Sequence, residues 1–156
     1  MEKICFRRVV VVYCSIFLLL ASCINRENFP TSINGHWYAV FGESKDMYGE
    51  IIFNDGKICS YSDELGMGFR VFKIKKDTIL EIYYDDILDY TGIINYRDKD
   101  TFCAKQISKE FTFESICYHR IKSDLSEKKI FAQDTVEQNK YVREYILRRE
   151  QWQLKK

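Results

Sequence analysis

The sequence predicts an all-β fold: a small eight-stranded antiparallel meander barrel over residues 34–122, followed by one C-terminal α-helix within residues 123–156. Three observations predict it. Short runs rich in Ile, Val, Phe, Tyr and Thr follow one another from His36 to Ile121 at the spacing of consecutive strands, roughly 8–12 residues. Turn residues separate them, with no helical stretch between. Beyond Ser123 the punctuation stops, and Leu125 to Trp152 contains neither Gly nor Pro.

The runs are His36–Phe41, Glu50–Phe53, Lys57–Tyr61, Gly68–Lys75, Thr78–Tyr84, Tyr90–Tyr96, Thr101–Ile107 and Phe111–Ile121. Between them lie Asn54-Asp55-Gly56, Lys76-Asp77, Asp85-Asp86 and Arg97-Asp98-Lys99-Asp100. Asp55-Gly56 is the clearest turn. A two-residue type I′ turn needs positive φ at both central positions, and Asp-Gly meets that at little cost. Pairing about it sets Phe53 beside Ile58 and Ile52 beside Cys59. Phe72 and Ile74 alternate with Lys73 and Lys75, as expected of a strand with one wet and one dry face. A meander of eight strands must protect its edges, and closure into a barrel does so.

The tail changes period. Ser123, Asp124 and Ser126 offer caps for a helix start. Phe131, Thr135, Gln138, Val142, Tyr145, Ile146 and Trp152 then share one side at helical spacing. This stripe is polar in its middle, and docking on the barrel is expected over a free helix.

Charge is nearly balanced, with 24 basic and 23 acidic residues. That argues against nucleic acid as a partner, which calls for a basic footprint. Residues 34–122 carry net −3 and residues 123–156 net +2, an asymmetry that reads as solvated surface. Two histidines and no CxxC pair argue against a zinc site. No cofactor is expected.

Before Asn34 the chain reads as a targeting segment. Lys3, Arg7 and Arg8 precede an apolar run from Val9 to Leu20. A helix of that length spans roughly 18 Å, short of the ~30 Å hydrocarbon core, so it suits a cleaved signal and not an anchor. Leu20-Ala21-Ser22-Cys23 follows, and it resembles the lipobox of bacterial lipoprotein precursors. The resemblance implies removal of residues 1–22, acylation of Cys23, and a tether over 23–33. Two or more acyl chains hold a protein firmly to a bilayer. The outer membrane, facing the periplasm, is the expected address. Three further cysteines remain in the body. In an oxidising compartment Cys103 and Cys117, flanking a hairpin centred near residue 110, are the better pair for a disulfide, although three small buried hydrophobes is an equal reading.

Gly35-His36-Trp37 opens the first strand of this meander, and Arg120 ends the last. That arrangement resembles a lipocalin, in which a Gly-x-Trp tryptophan closes one barrel end beneath an arginine. The resemblance implies structural roles for Trp37 and Arg120. It also implies a hydrophobic ligand within the barrel, for which Phe53, Phe69, Phe72, Tyr83, Phe102 and Phe113 are the inward candidates. An alternative is a cell-envelope interaction lipoprotein (an inhibitor, immunity or assembly factor) that meets a protein partner through its cationic tail helix: Lys140, Arg143, Arg148, Arg149, Lys155 and Lys156. An enzyme is not expected. No residues resemble a nucleophile elbow, and Asp85, Asp86 and Asp89 read as a solvated turn.

Overall fold

The computed structural model describes residues 33–42, 44–107 and 115–156, without the side chains of Tyr96 and Arg97. Cys23 with its lipobox, most of the expected tether, Phe111 and Phe113 lie outside the described residues.

Strands β1 (Gly35–Phe41), β2 (Met47–Asn54), β3 (Lys57–Ser62), β4 (Gly66–Lys75), β5 (Ile79–Tyr84), β6 (Ile87–Asp98), β7 (Thr101–Gln106) and β8 (Ile116–Arg120) pair in sequence order. β8 returns antiparallel to β1, sets Trp37 opposite Arg120, and closes the barrel. Closure pairs every described strand with two neighbours over part of its length, which answers the hazard of a long meander.

Local chemistry explains three of the hairpins. Asp55-Gly56, Lys76-Asp77 and Asp85-Asp86 all have positive φ at both positions, as the type I′ turn demands. The first fixes Phe53 opposite Ile58 and Ile52 opposite Cys59. Cys103 and Cys117 face each other across β7 and β8 and are joined by a disulfide with S–S 2.10 Å.

The barrel interior is graded along its axis. At the end where β1 begins, Trp37, Phe53, Ile58, Phe72, Leu80, Ile94 and Phe102 pack with Ile33 into a solid core. Trp37 stands edge-on to Phe102 at 4.8 Å between centroids, and Phe53 edge-on to Phe72 at 5.1 Å. Arg120 covers this end. Its guanidinium lies 4.1 Å from the Trp37 ring centroid, and its Nη1 donates to the Asn34 carbonyl at 3.1 Å. The Trp37 indole N–H donates to the Ile33 carbonyl at 2.7 Å, so the ring is fixed at both ends.

A second core lies outside the barrel. Ile52 and Cys59 point outward from β2 and β3, and the tail covers them with Ile130, Tyr141 and Tyr145. The tail forms two helices. α1 (Glu127–Phe131) is short; Gln133 takes φ 60°, and the chain restarts as α2 (Thr135–Gln153). The Asp134 carboxylate caps α2 by accepting from the N–H groups of Val136 and Glu137, at 3.0 and 3.1 Å. The long helix thus begins at Asp134 and not at the Ser123–Ser126 signal. Its buried face centres on Tyr141 and Tyr145, one turn apart, and Tyr141 is absent from the expected stripe. Several of the tail cations are paired within the chain: Arg148 meets the buried Glu50 and Glu144, Arg149 meets Asp63, and Lys140 meets Asp124 at the surface.

Candidate ligand-binding cavity at the barrel mouth

The other barrel end is open. There the inward positions hold small residues: Ala39 on β1, Gly49 on β2, Ser60 and Ser62 on β3, and Gly68 on β4. Large side chains fill the closed half and small ones line the open half, so the interior widens toward the mouth. Gly49 is used directly. A Cβ there would lie 2.8 Å from the Phe41 ring, so its absence lets that ring fold across the barrel wall.

The result is a cavity of about 380 Å³, lined by Ala39, Phe41, Ile51, Ser60, Ile116 and Tyr118 among others. It falls in the size range of small-ligand sites, roughly 300–1,000 Å³, and combines apolar walls with a few hydroxyls. Arg70 reaches into it from β4 and lies 3.3 Å from the Asp89 carboxylate at the mouth, both side chains about half exposed. Tyr118 stacks on Phe102, 4.9 Å between centroids, and so forms the cavity floor where the solid core begins. Burial, with Tyr90 nearby, pushes the Tyr118 phenol up to about 12. It is a neutral donor at physiological pH.

One side of the cavity is a seam. β2 and β3 pair only from Ile51–Ser60 to Asn54–Lys57. Toward the mouth, β2 pairs with β1 alone and β3 with β4 alone. Tyr48, Glu50 and Tyr61 therefore join the cavity lining from the outer face, and Tyr145 of α2 closes the seam. Its ring packs against Tyr48 at 6.0 Å and Tyr61 at 5.2 Å. The helix thus forms part of the cavity wall.

The helix is held there by an ionic cluster. The Glu50 side chain is fully buried and accepts hydrogen bonds from Arg148, His36 and Tyr48. Burial alone would raise its pKa, but His36, Arg148 and Tyr48 together outweigh it and hold the carboxyl below the ordinary value. Burial opposes the charge of Arg148 as well, and the Glu50 carboxylate more than restores it.

The aromatic residues expected to line a pocket fall elsewhere. Phe53, Phe72 and Phe102 do point inward, but into the solid half, where they fill space. Phe69 and Tyr83 point outward, a correction to the expected set. Residues alternate between faces, and Phe69 has the opposite parity to Phe72, as Tyr83 has to Ile82. Phe69 instead meets the Phe131 ring at 6.0 Å, and Tyr83 donates to Glu81 on the outer wall. Both line an external depression of about 420 Å³ with Lys57, Arg70, Asp85, Asp86 and Phe131. That depression lies on the wall and is rimmed by opposing charges. The mouth cavity is more apolar, and on that ground it is the better small-molecule site. The inward small residues are its signal in the sequence, whereas the large inward aromatics mark the packed half.

Among the described residues no group of three or more His, Cys, Asp or Glu side chains is placed to hold a metal ion. Cys59 is buried with a free thiol, which burial pushes up to about 12, so it serves as a small apolar residue of the outer core. No protein-family model matches the chain, and no curated protein matches it in sequence.

Proposed function

We propose that this chain is a membrane-anchored, lipocalin-like lipoprotein that binds one small hydrophobic molecule at the mouth of its barrel. The observation that carries the binding role is the graded interior: a packed end beneath Trp37 and Arg120, and about 380 Å³ of mostly apolar space at the other. The hydroxyls of Ser60 and Ser62 and the Arg70 guanidinium suit a molecule with one polar end directed to the mouth. Anchoring rests on Leu20-Ala21-Ser22-Cys23 and the apolar run before it, and an outer-membrane address facing the periplasm follows from that reading.

Titration of the protein with an environment-sensitive apolar fluorophore tests the binding role. Saturable one-to-one enhancement is expected. Ala39→Phe and Ser60→Leu, each adding bulk inside the cavity, are expected to weaken it at least tenfold while leaving the fold intact by circular dichroism. Equal binding by the filled variants excludes the cavity.

A further inference from the structure

The exposed apolar side chains of the barrel are unevenly placed. Phe69, Val71 and Ile93 lie on the outer wall, and the larger group, Met47, Leu65, Tyr84, Ile87, Leu88 and Ile107, is exposed elsewhere, Leu65 at 89 % and Ile87 at 71 %. They come from the strand ends and turns of the open end: the start of β2, the β3–β4 turn, both sides of the β5–β6 turn, and the residue after β7. The described turns of the closed end carry no exposed large apolar residue. There the chain shows Asp55-Gly56, Lys76-Asp77-Thr78 and Lys99-Asp100.

Charge is sorted in the same direction. The described open-end connections hold Asp46, Asp63, Glu64, Asp85 and Asp86 against Lys45, with Lys57 and Arg70 of the neighbouring strands sharing the outer depression with Asp85 and Asp86. Asp63 is taken by Arg149 of α2, but none of Asp46, Glu64, Asp85 and Asp86 is in a salt bridge among the described residues. Scattered exposed hydrophobes are ordinary on a protein surface; a ring of them around an opening marks an interaction surface. An acidic ring disfavours an anionic lipid surface, since like charges repel on approach. It favours a partner that presents apolar side chains among lysines or arginines.

We infer that the open rim of the barrel is a docking surface for a protein segment in which apolar residues alternate with basic ones. Leu65, Ile87 and Leu88 meet the apolar side chains, and Glu64, Asp85 and Asp86 meet the cations. This surface is separate from the interior cavity and does not require it to be filled. It also differs from the tail helix, whose buried face and several of whose cations are engaged within the chain.

The test uses the full chain and four defined probes: a labelled Leu/Lys peptide, its Leu/Glu and Ser/Lys counterparts, and vesicles of phosphatidylcholine with phosphatidylglycerol. Fluorescence anisotropy is expected to show binding of the Leu/Lys peptide, at least tenfold tighter than either counterpart and weakened by salt. Leu65→Ser with Ile87→Ser, and separately Asp85→Asn with Asp86→Asn, are each expected to weaken it about tenfold. Asn tolerates the positive φ of both turn positions, so the second pair keeps the turn. Asp77→Asn with Asp100→Asn, at the closed end, is expected to leave binding within twofold. Equal loss in that control means bulk attraction and overturns the proposal. So does indifference to the Leu/Glu exchange, or adherence to the vesicles with no peptide binding.

Discussion

Arg148 of α2 holds Glu50 of β2 through two hydrogen bonds, Nε to Oε1 at 2.8 Å and Nη2 to Oε2 at 3.0 Å. The pair joins the helix to the barrel beside the seam that Tyr145 closes. A planar guanidinium matches a carboxylate in this two-pronged way, and a lysine cannot. Removing one partner leaves the other charge buried. Arg148→Met is therefore expected to cost about 3 kcal/mol in urea unfolding. Arg148→Met combined with Glu50→Leu is expected to recover most of that loss. An additive double variant contradicts the pairing.

The same cluster sets a pH dependence. Glu50 is held below its ordinary value of 4.5, so the folded state favours its ionised form. Its contribution is fully present above the unfolded value and is lost as pH falls through the lower folded value. Unfolding free energy measured against pH is expected to fall in the acid range below about 4.5. In Arg148→Met the carboxyl keeps its burial and loses one of the partners that favour its charge, so the fall begins at higher pH. An unchanged acid limb in that variant removes Glu50 from the account.

Tyr141 offers a test in the opposite direction. It is fully buried against the His36 ring, and its hydroxyl has no hydrogen-bond partner among the described residues. A buried hydroxyl without a partner costs about 1–3 kcal/mol of desolvation. Tyr141→Phe is expected to stabilise the fold by about 1 kcal/mol, read as a rise in denaturant midpoint. A loss of stability means that the hydroxyl is bonded.

The closed end depends on Arg120 lying over Trp37. Arg120→Met removes a cation–π contact, two hydrogen bonds to the carbonyls of Asn34 and Lys99, and an ion pair with Asp100, and is expected to cost about 2 kcal/mol. Gly35 lies beneath this side chain at φ 130°, and a methyl group there runs into Arg120 Nη1. Gly35→Ala is expected to cost at least as much. Both are measured by urea unfolding, and a neutral Gly35→Ala contradicts the geometry of the lid.

Much of the barrel was legible because the signals are local. Asp55-Gly56 can form its turn from two residues, and the turn then dictates the register of Phe53 with Ile58. Trp37 and Arg120 were legible by position at the two ends of the meander. The docking of the tail was harder to read. Apolar periodicity points to Phe131, Tyr145 and Ile146, which do pack on the outer core, but it passes over Tyr141 and Arg148, which meet Ile52, Cys59 and Glu50. An arginine becomes an interior-facing residue only when a buried carboxylate waits for it, and nothing near Arg148 in sequence announces Glu50. The cavity was missed for a related reason. Space is left by what is small, and Ala39, Gly49 and Ser60 carry no chemical label until the register brings them together.

Binding of a small apolar molecule at the mouth of the barrel is tested most directly by a methyl NMR titration of the full chain with decanoate. The account predicts saturable one-to-one shifts at Ala39, Ile51 and Ile116, with Ile58 and Leu80 in the packed half little changed. Shifts confined to the outer wall around Val71, or no saturable shifts at the mouth, contradict it.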